Sequence, residues 1–191
     1  MDALLTSLTS VTLAEIGDKT QLLALFLATR FTSKTSIIFG ILVATVVNHA
    51  ASAWFGSWVT TQLPESWTHW LIGISFIAVA CWLLIPDKDE GNDSALLKMG
   101  AFWATLLLFS LAEIGDKTQV ATILLGANFT NTIAVIIGST LGMLLANLPM
   151  IYAGHILLNS RFNKFNSNQT RRLAFAIFLT LGIITLLTPF F

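Results

Sequence analysis

The nonapeptide Leu-Ala-Glu-Ile-Gly-Asp-Lys-Thr-Gln occurs twice without a mismatch, at Leu13–Gln21 and Leu111–Gln119. Each copy sets two carboxylates and an ammonium group inside an apolar run: Glu15, Asp18 and Lys19 in the first, Glu113, Asp116 and Lys117 in the second. A charge at the centre of a lipid-exposed helix costs about 2.5–3.5 kcal/mol, so these six must face one another, water or an ion. On a continuous helix, residues three and four apart share a face. Glu15 is therefore expected to project with Asp18 and Lys19, and Glu113 with Asp116 and Lys117. Gly17 and Gly115 leave room between the acids for a close helix approach or a local break.

Four ionised carboxylates and two ammonium groups leave an excess negative charge of two, which a divalent cation would neutralise. Together with the oxygens of Thr20, Gln21, Thr118 and Gln119, the acids make a hard-oxygen set suited to manganese, calcium or magnesium. Neither copy contains His or Cys, which argues against zinc or copper. The competing structural reading is a Glu15–Lys19 salt bridge within one helix, duplicated with the repeat. It leaves Asp18 and Asp116 without partners.

The elements that hold these residues follow from composition. Of 191 residues, 55% are hydrophobic and only 10% charged, with a mean hydropathy of +0.78. A soluble domain carries about 25% charged residues, so the chain reads as an integral membrane protein. Ten basic and ten acidic residues cancel, so no field draws nucleic acid. The single cysteine, Cys81, makes neither an internal disulfide nor a thiolate metal site.

Six apolar stretches are bounded by polar residues: Leu4–Ala28, Ser36–Thr60, Trp70–Ile85, Met99–Gly126, Thr132–Leu158 and Leu173–Leu187. The first is not read as a signal peptide, because it lacks a basic leading region and carries charges inside. Connections after the first, third and fifth stretches hold Arg30, Lys34, Lys88, Lys98, Arg161, Lys164, Arg171 and Arg172. The other connections and the termini hold no Lys or Arg. The positive-inside rule then puts both termini in the periplasm of a bacterial inner (plasma) membrane, multi-pass, with the basic loops cytoplasmic. Trp54, Trp58, Trp67 and Trp70 bracket the outer connection and Trp82 and Trp103 the inner acidic one, as a headgroup belt requires.

Holding the register between the two nonapeptides also aligns Phe31-Thr32 with Phe129-Thr130, Gly40 with Gly138 and Gly56 with Gly154. The expected architecture is all-α: six transmembrane helices as two three-helix repeats, 1–86 and 99–191, joined by an acidic cytoplasmic linker at 87–98. Three spans per repeat is an odd number, so the second copy enters the membrane inverted, as in many secondary transporters.

Asn48-His49 and Asn147 fall at nearly matching places in the second and fifth stretches, with Pro149 expected to distort the latter. The asparagines are candidates either to complete a coordination shell or to bond helix to helix. His49 and His155 are candidate proton carriers, against the plainer reading of hydrogen-bonded histidines. The acids of the linker lack the spacing of an EF-hand loop.

Paired Glu-x-Gly-Asp-Lys-Thr motifs in a six-span chain resemble the Gdt-type family of cation/proton exchangers, whose bacterial members include MneA-type manganese exporters. The resemblance covers nearly the whole chain. It implies export of Mn²⁺, or Ca²⁺ in some relatives, in exchange for protons, with Glu15, Asp18, Glu113 and Asp116 as the metal site. On this reading Lys19 and Lys117 balance charge, no cofactor is needed because the metal is cargo, and the partners are divalent ions, protons and the bilayer. A homo-oligomer is compatible with it. The alternative is an exporter of amino acids or other small cationic solutes using the same acids. An intramembrane enzyme would need a nucleophile or a His-Glu-x-x-His motif, and neither is present.

Overall fold

The computed structural model describes residues 2–84, 96–159 and 167–187, and among these every regular element is helical. In order these are α1 (Ala3–Glu15), α2 (Lys19–Arg30), α3 (Lys34–Gln62), α4 (Glu65–Leu83), α5 (Ala101–Glu113), α6 (Lys117–Asn128), α7 (Thr132–Asn159) and α8 (Ser167–Leu187). A short 3-10 turn at Leu96–Met99 precedes α5. The linker residues Pro86 to Asp93, and Arg161 and Lys164, lie outside the described residues, as does the side chain of His155.

At 1.5 Å per residue, the 29 residues of α3 extend about 43 Å, enough to cross a hydrocarbon core of about 30 Å. Both α3 and the Thr132–Tyr152 part of α7 are long and apolar enough to span a membrane. α7 runs unbroken through Pro149, so the expected distortion does not interrupt it. The ring removes one backbone donor, and the rest of the ladder carries the helix across.

At the first and fourth stretches the structure takes the local break that Gly17 and Gly115 allowed, not a continuous helix. Each divides into two short helices, α1 with α2 and α5 with α6, and a 13-residue piece extends only about 20 Å. The division falls inside the nonapeptide both times. Ile16 and Ile114 leave the helix with extended torsions, Gly17 and Gly115 take φ of 85° and 75°, and Asp18 and Asp116 are extended again. Only glycine occupies such positive φ without strain. The shared helical face expected for Glu15, Asp18 and Lys19 is therefore wrong: Glu15 closes one helix and Lys19 opens the next, and the same holds for Glu113 and Lys117.

The packing is inside out. Buried positions include Ser7, Ser10, Glu15, Asp18, Thr45, His49, Thr105, Glu113, Asp116, Lys117 and Asn147, while Trp54, Trp58, Trp67, Ile133 and Leu187 are exposed. An apolar surface of that extent fits a bilayer better than water. Helices pair largely across the two halves: α1 on α7, α3 on α5 and α6, α2 on α7, and α4 on α8. Small residues make these approaches close. A Cβ on Gly126 would fall onto the backbone of Ala53, and one on Gly142 would come 2.7 Å from the Leu8 carbonyl. These contacts also give direction. Gly138 sits at Leu4 and Gly142 at Leu8 and Thr12, so α7 runs alongside α1 in the same sense. Gly40 sits at Phe102 and Thr105, and Asn48 reaches Ser110, so α3 runs with α5.

Candidate functional site: the paired helix breaks

Both breaks are built by the same local hydrogen bonds. The Asp18 side chain accepts from the Thr20 amide at 3.5 Å, and Asp116 from the Thr118 amide at 3.4 Å, which caps α2 and α6. The Gly17 amide donates to Gln21 Oε1 at 2.8 Å, and the Gly115 amide to Gln119 Oε1 at 2.7 Å. The backbone of Glu15 accepts from the Asp18 amide, and that of Glu113 from the Asp116 amide, closing each turn. Asp-x-x-Gln is thus a helix-start signature, a relative of the capping box with glutamine reaching one residue further back. It is legible in both nonapeptides and would have placed the breaks.

The two breaks meet. Thr118 Oγ1 donates to Glu15 Oε2 at 2.9 Å, and Lys19 Nζ lies 3.7 Å from Asp116 Oδ1. Lys19 is the first residue of α2, where the helix dipole disfavours a cation, and Asp116 from the other repeat offsets that cost. Both glutamates are buried at the carboxyl ends of their helices. The charges of Asp116, Asp18 and Lys19 all act on Glu113. The two repeats are not equivalent in detail, however. Neither carboxylate oxygen of Glu113 has a hydrogen-bond partner, and Thr20 Oγ1 is buried without one, whereas its repeat-mate Thr118 holds Glu15. Leaving a buried polar group unpaired costs about 1–3 kcal/mol.

Among the described residues, no three Asp, Glu, His or Cys side chains already converge to hold a metal ion. Asp18 and Asp116 each use one carboxylate oxygen, Oδ2, as a cap, and each carries a second oxygen. Helix carboxyl ends and unwound carbonyls at such breaks supply further oxygens.

The outer candidates divide. Gln21 Nε2 donates to the Ala146 carbonyl at 2.7 Å, tying α2 to α7. Asn48 Nδ2 donates to the Ser110 carbonyl at 3.3 Å, a helix-to-helix bond. Asn147 Nδ2 turns back onto Met143 of its own helix, and its Oδ1 is buried without a partner. His49 is wholly buried with neither ring nitrogen bonded. In the repeat register His49 pairs with Asn147, near the midpoints of α3 and α7. The buried hydroxyls of Ser7, Ser10, Thr45, Thr105 and Thr140, none bonded, were not singled out by the residue patterns. Ser7 and Thr105 stand at matched repeat positions, and that pairing was available as a signal.

Divalent cation/proton antiporter GDT1 is the family whose pattern matches, and it matches twice, over residues 3–91 and 101–190. The chain belongs to the GDT1 family. Both matches of this GDT1 chain contain one nonapeptide, so each break lies within a family unit. A protein of Vibrio cholerae serotype O1 named "Putative manganese exporter" is 43% identical over 97% of this chain and 90% of its own length. GDT1-like protein 5 of Arabidopsis thaliana is 28% identical, covering 96% and 94% of the two chains. GDT1-like protein 5 of Oryza sativa subsp. japonica is 26% identical, covering 95% and 93%. No solved structure matches.

Proposed function

We propose that this GDT1-family protein exports Mn²⁺, with Ca²⁺ as a second substrate, across a bacterial inner membrane in exchange for protons. The observation that carries the reading is the meeting of two carboxylate-bearing helix breaks, through Thr118–Glu15 and Lys19–Asp116, in a family of divalent cation/proton antiporters. The name of the V. cholerae relative supports Mn²⁺ as the cargo. Glu15, Asp18, Glu113 and Asp116 bind the ion, and Lys19 and Lys117 balance the acids between turnovers.

Coupling follows from competition. A carboxylate that ligates a metal must be deprotonated, so metal and protons exclude one another on the same oxygens. Asp18 and Asp116 each cap a helix through one carboxylate oxygen, which leaves the other to face a cation. Ion binding thereby engages both breaks at once, where the two repeats meet.

The proposed architecture is six crossings in two inverted repeats, 1–86 and 99–191, joined by the 87–98 linker. Three contacts support it. α7 runs with α1, α3 runs with α5, and Lys34 at the start of α3 lies over the Tyr152 ring, 5.3 Å from its centroid, late in α7. α3 thus opposes α7, and α5 opposes α1. Eight basic residues on one set of connections support periplasmic termini.

The test uses purified protein in liposomes carrying an imposed pH gradient, with Mn²⁺, Ca²⁺ or an amino-acid mixture as cargo. Mn²⁺ should move against the proton flow, and Glu113→Gln should stop it while the protein remains folded and inserted. Metal flux indifferent to the gradient would make the protein a uniporter. Amino-acid flux without metal flux would favour the solute-exporter alternative.

A further inference from the structure

The contacts between helices are of two kinds. In the first, backbones touch. Gly138 and Gly142 of α7 meet α1 between Leu4 and Thr12, and the Gln21 side chain of α2 donates to the Ala146 carbonyl of α7. Gly40 of α3 meets Phe102 and Thr105 of α5, Asn48 of α3 donates to the Ser110 carbonyl of α5, and Gly56 and Gly126 set α3 directly against α6. These contacts join α1, α2 and α7 in one bundle and α3, α5 and α6 in another. The bundles correspond under the repeat, α1 to α5, α2 to α6 and α7 to α3, yet each draws members from both repeats. α4 and α8 pair with one another beside them, α4 touching α6 and α8 touching α1. Glycine contacts of this kind lock two helices, because sliding either one drives main-chain atoms together.

Across the seam between the bundles the contacts differ. α3 touches α7 there, but among the described residues neither a hydrogen bond nor a glycine joins the two. The links that do cross the seam each use a charged side chain: Thr118 to Glu15, Lys19 to Asp116, and Lys34 over the Tyr152 ring. Glu15 and Asp18 stand on one side of the seam, Glu113 and Asp116 on the other. Lys34 and Tyr152 lie at the end that carries the basic connections. In the repeat register their counterparts are Thr132 and Trp54, so the opposite end has no lysine to make the same contact. We infer that these composite bundles, and not the sequence repeats, are the bodies that move in transport, rocking about the seam through the paired breaks, with Lys34 on Tyr152 as a clasp at one end. The inference rests on the transport reading above and adds the moving parts to it. A cation shared by acids of both breaks ties the bundles together, and protons on those acids release the tie, so occupancy biases bundle position.

The experiment measures energy transfer between dyes of short Förster radius on cysteine pairs, in a Cys81→Ser background and in liposomes. Four exposed sites serve: Thr29→Cys on α2, Ile133→Cys on α7, Thr61→Cys on α3 and Trp103→Cys on α5. Protein with Mn²⁺ at neutral pH is compared with metal-free protein at acid pH. The 29–133 and 61–103 pairs, each within one bundle, should keep their transfer efficiency. The 29–103 and 61–133 pairs, which span the two ends of the seam, should shift in opposite senses. A shift within either bundle, or seam pairs that stay still or move together, overturns the inference. The clasp has its own readout in metal-free protein. Lys34→Gln and Tyr152→Leu should lower transfer in the 29–103 pair, whereas Tyr152→Phe, which keeps the ring, should leave it unchanged. Equal effects of Tyr152→Leu and Tyr152→Phe would remove the clasp. Wild-type protein whose seam pairs move but which carries no Mn²⁺ would refute the transport reading alone.

Discussion

Thr20 and Thr118 occupy the same place in two identical nonapeptides, yet the structure gives them opposite roles, and substituting each with valine separates them. Valine keeps the volume and branching of threonine and removes only the hydroxyl. Thr118→Val deletes a buried 2.9 Å hydrogen bond to a carboxylate oxygen of Glu15. Hydrogen bonds to charged groups contribute about 1.5–3 kcal/mol, so the folded-to-unfolded ratio should fall about 10- to 150-fold at ~1.4 kcal/mol per decade. Thr20→Val instead removes a buried hydroxyl with no partner, which relieves desolvation and should leave stability unchanged or raise it by about 1 kcal/mol. The assay is reversible unfolding in mixed micelles at fixed detergent ratio, following tryptophan fluorescence for wild type and both variants. The prediction is a difference in sign, so errors in the absolute reference state largely cancel. Equal shifts of the same sign would refute the reasoning, because the two repeats would then be energetically equivalent at this position.

Gly115→Ala should cost about 1 kcal/mol, read in the same unfolding assay, because a Cβ there meets nothing within 4 Å and only the positive φ opposes it. Gly126→Ala should cost more, about 1–3 kcal/mol or above, because its Cβ lands on the Ala53 backbone, which cannot swing aside. Apparent Mn²⁺ affinity should fall as pH is lowered and binding should release protons, since protonated carboxylates do not ligate. Calorimetry in buffers of different ionisation enthalpy counts those protons, and a count of zero would remove proton competition from the mechanism.

The doubled nonapeptide made the central residues legible in the sequence itself, since charges held inside apolar runs must meet one another, water or an ion. Membrane character was equally plain from composition. What hydropathy left open was the path of the backbone, a continuous helix or a break at Gly17 and Gly115. Spacing of three and four residues reads as a helical face only if the helix is continuous, and in Glu15-Ile16-Gly17-Asp18 it is not. The break is stabilised by short-range bonds, Asp18 to Thr20 and Gly17 to Gln21, that hydropathy does not register. The link from Lys19 to Asp116 depends on how α2 and α6 approach, a property of the packed bundle rather than of either segment. The unbonded hydroxyls of Ser10 and Thr45 were illegible for a similar reason. A serine that bonds its own helix and one that does not look alike in a sequence.

The cross-half pairing of helices bears on how such a chain arose. α1 finds its main neighbour in α7, α3 finds its own in α5 and α6, and α4 packs on α8, so each three-span unit leaves most of its interior to the other. A single unit on its own would expose Ser7, Glu15 and Thr20 to lipid. A unit encoded alone would therefore need a second copy of itself to cover these groups. Two copies fused in one chain remove the dependence on concentration and can differ in detail, as at His49 and Asn147. Two half-length polypeptides cut within the acidic linker and synthesised together should reassemble into an active transporter, whereas either fragment alone should be degraded.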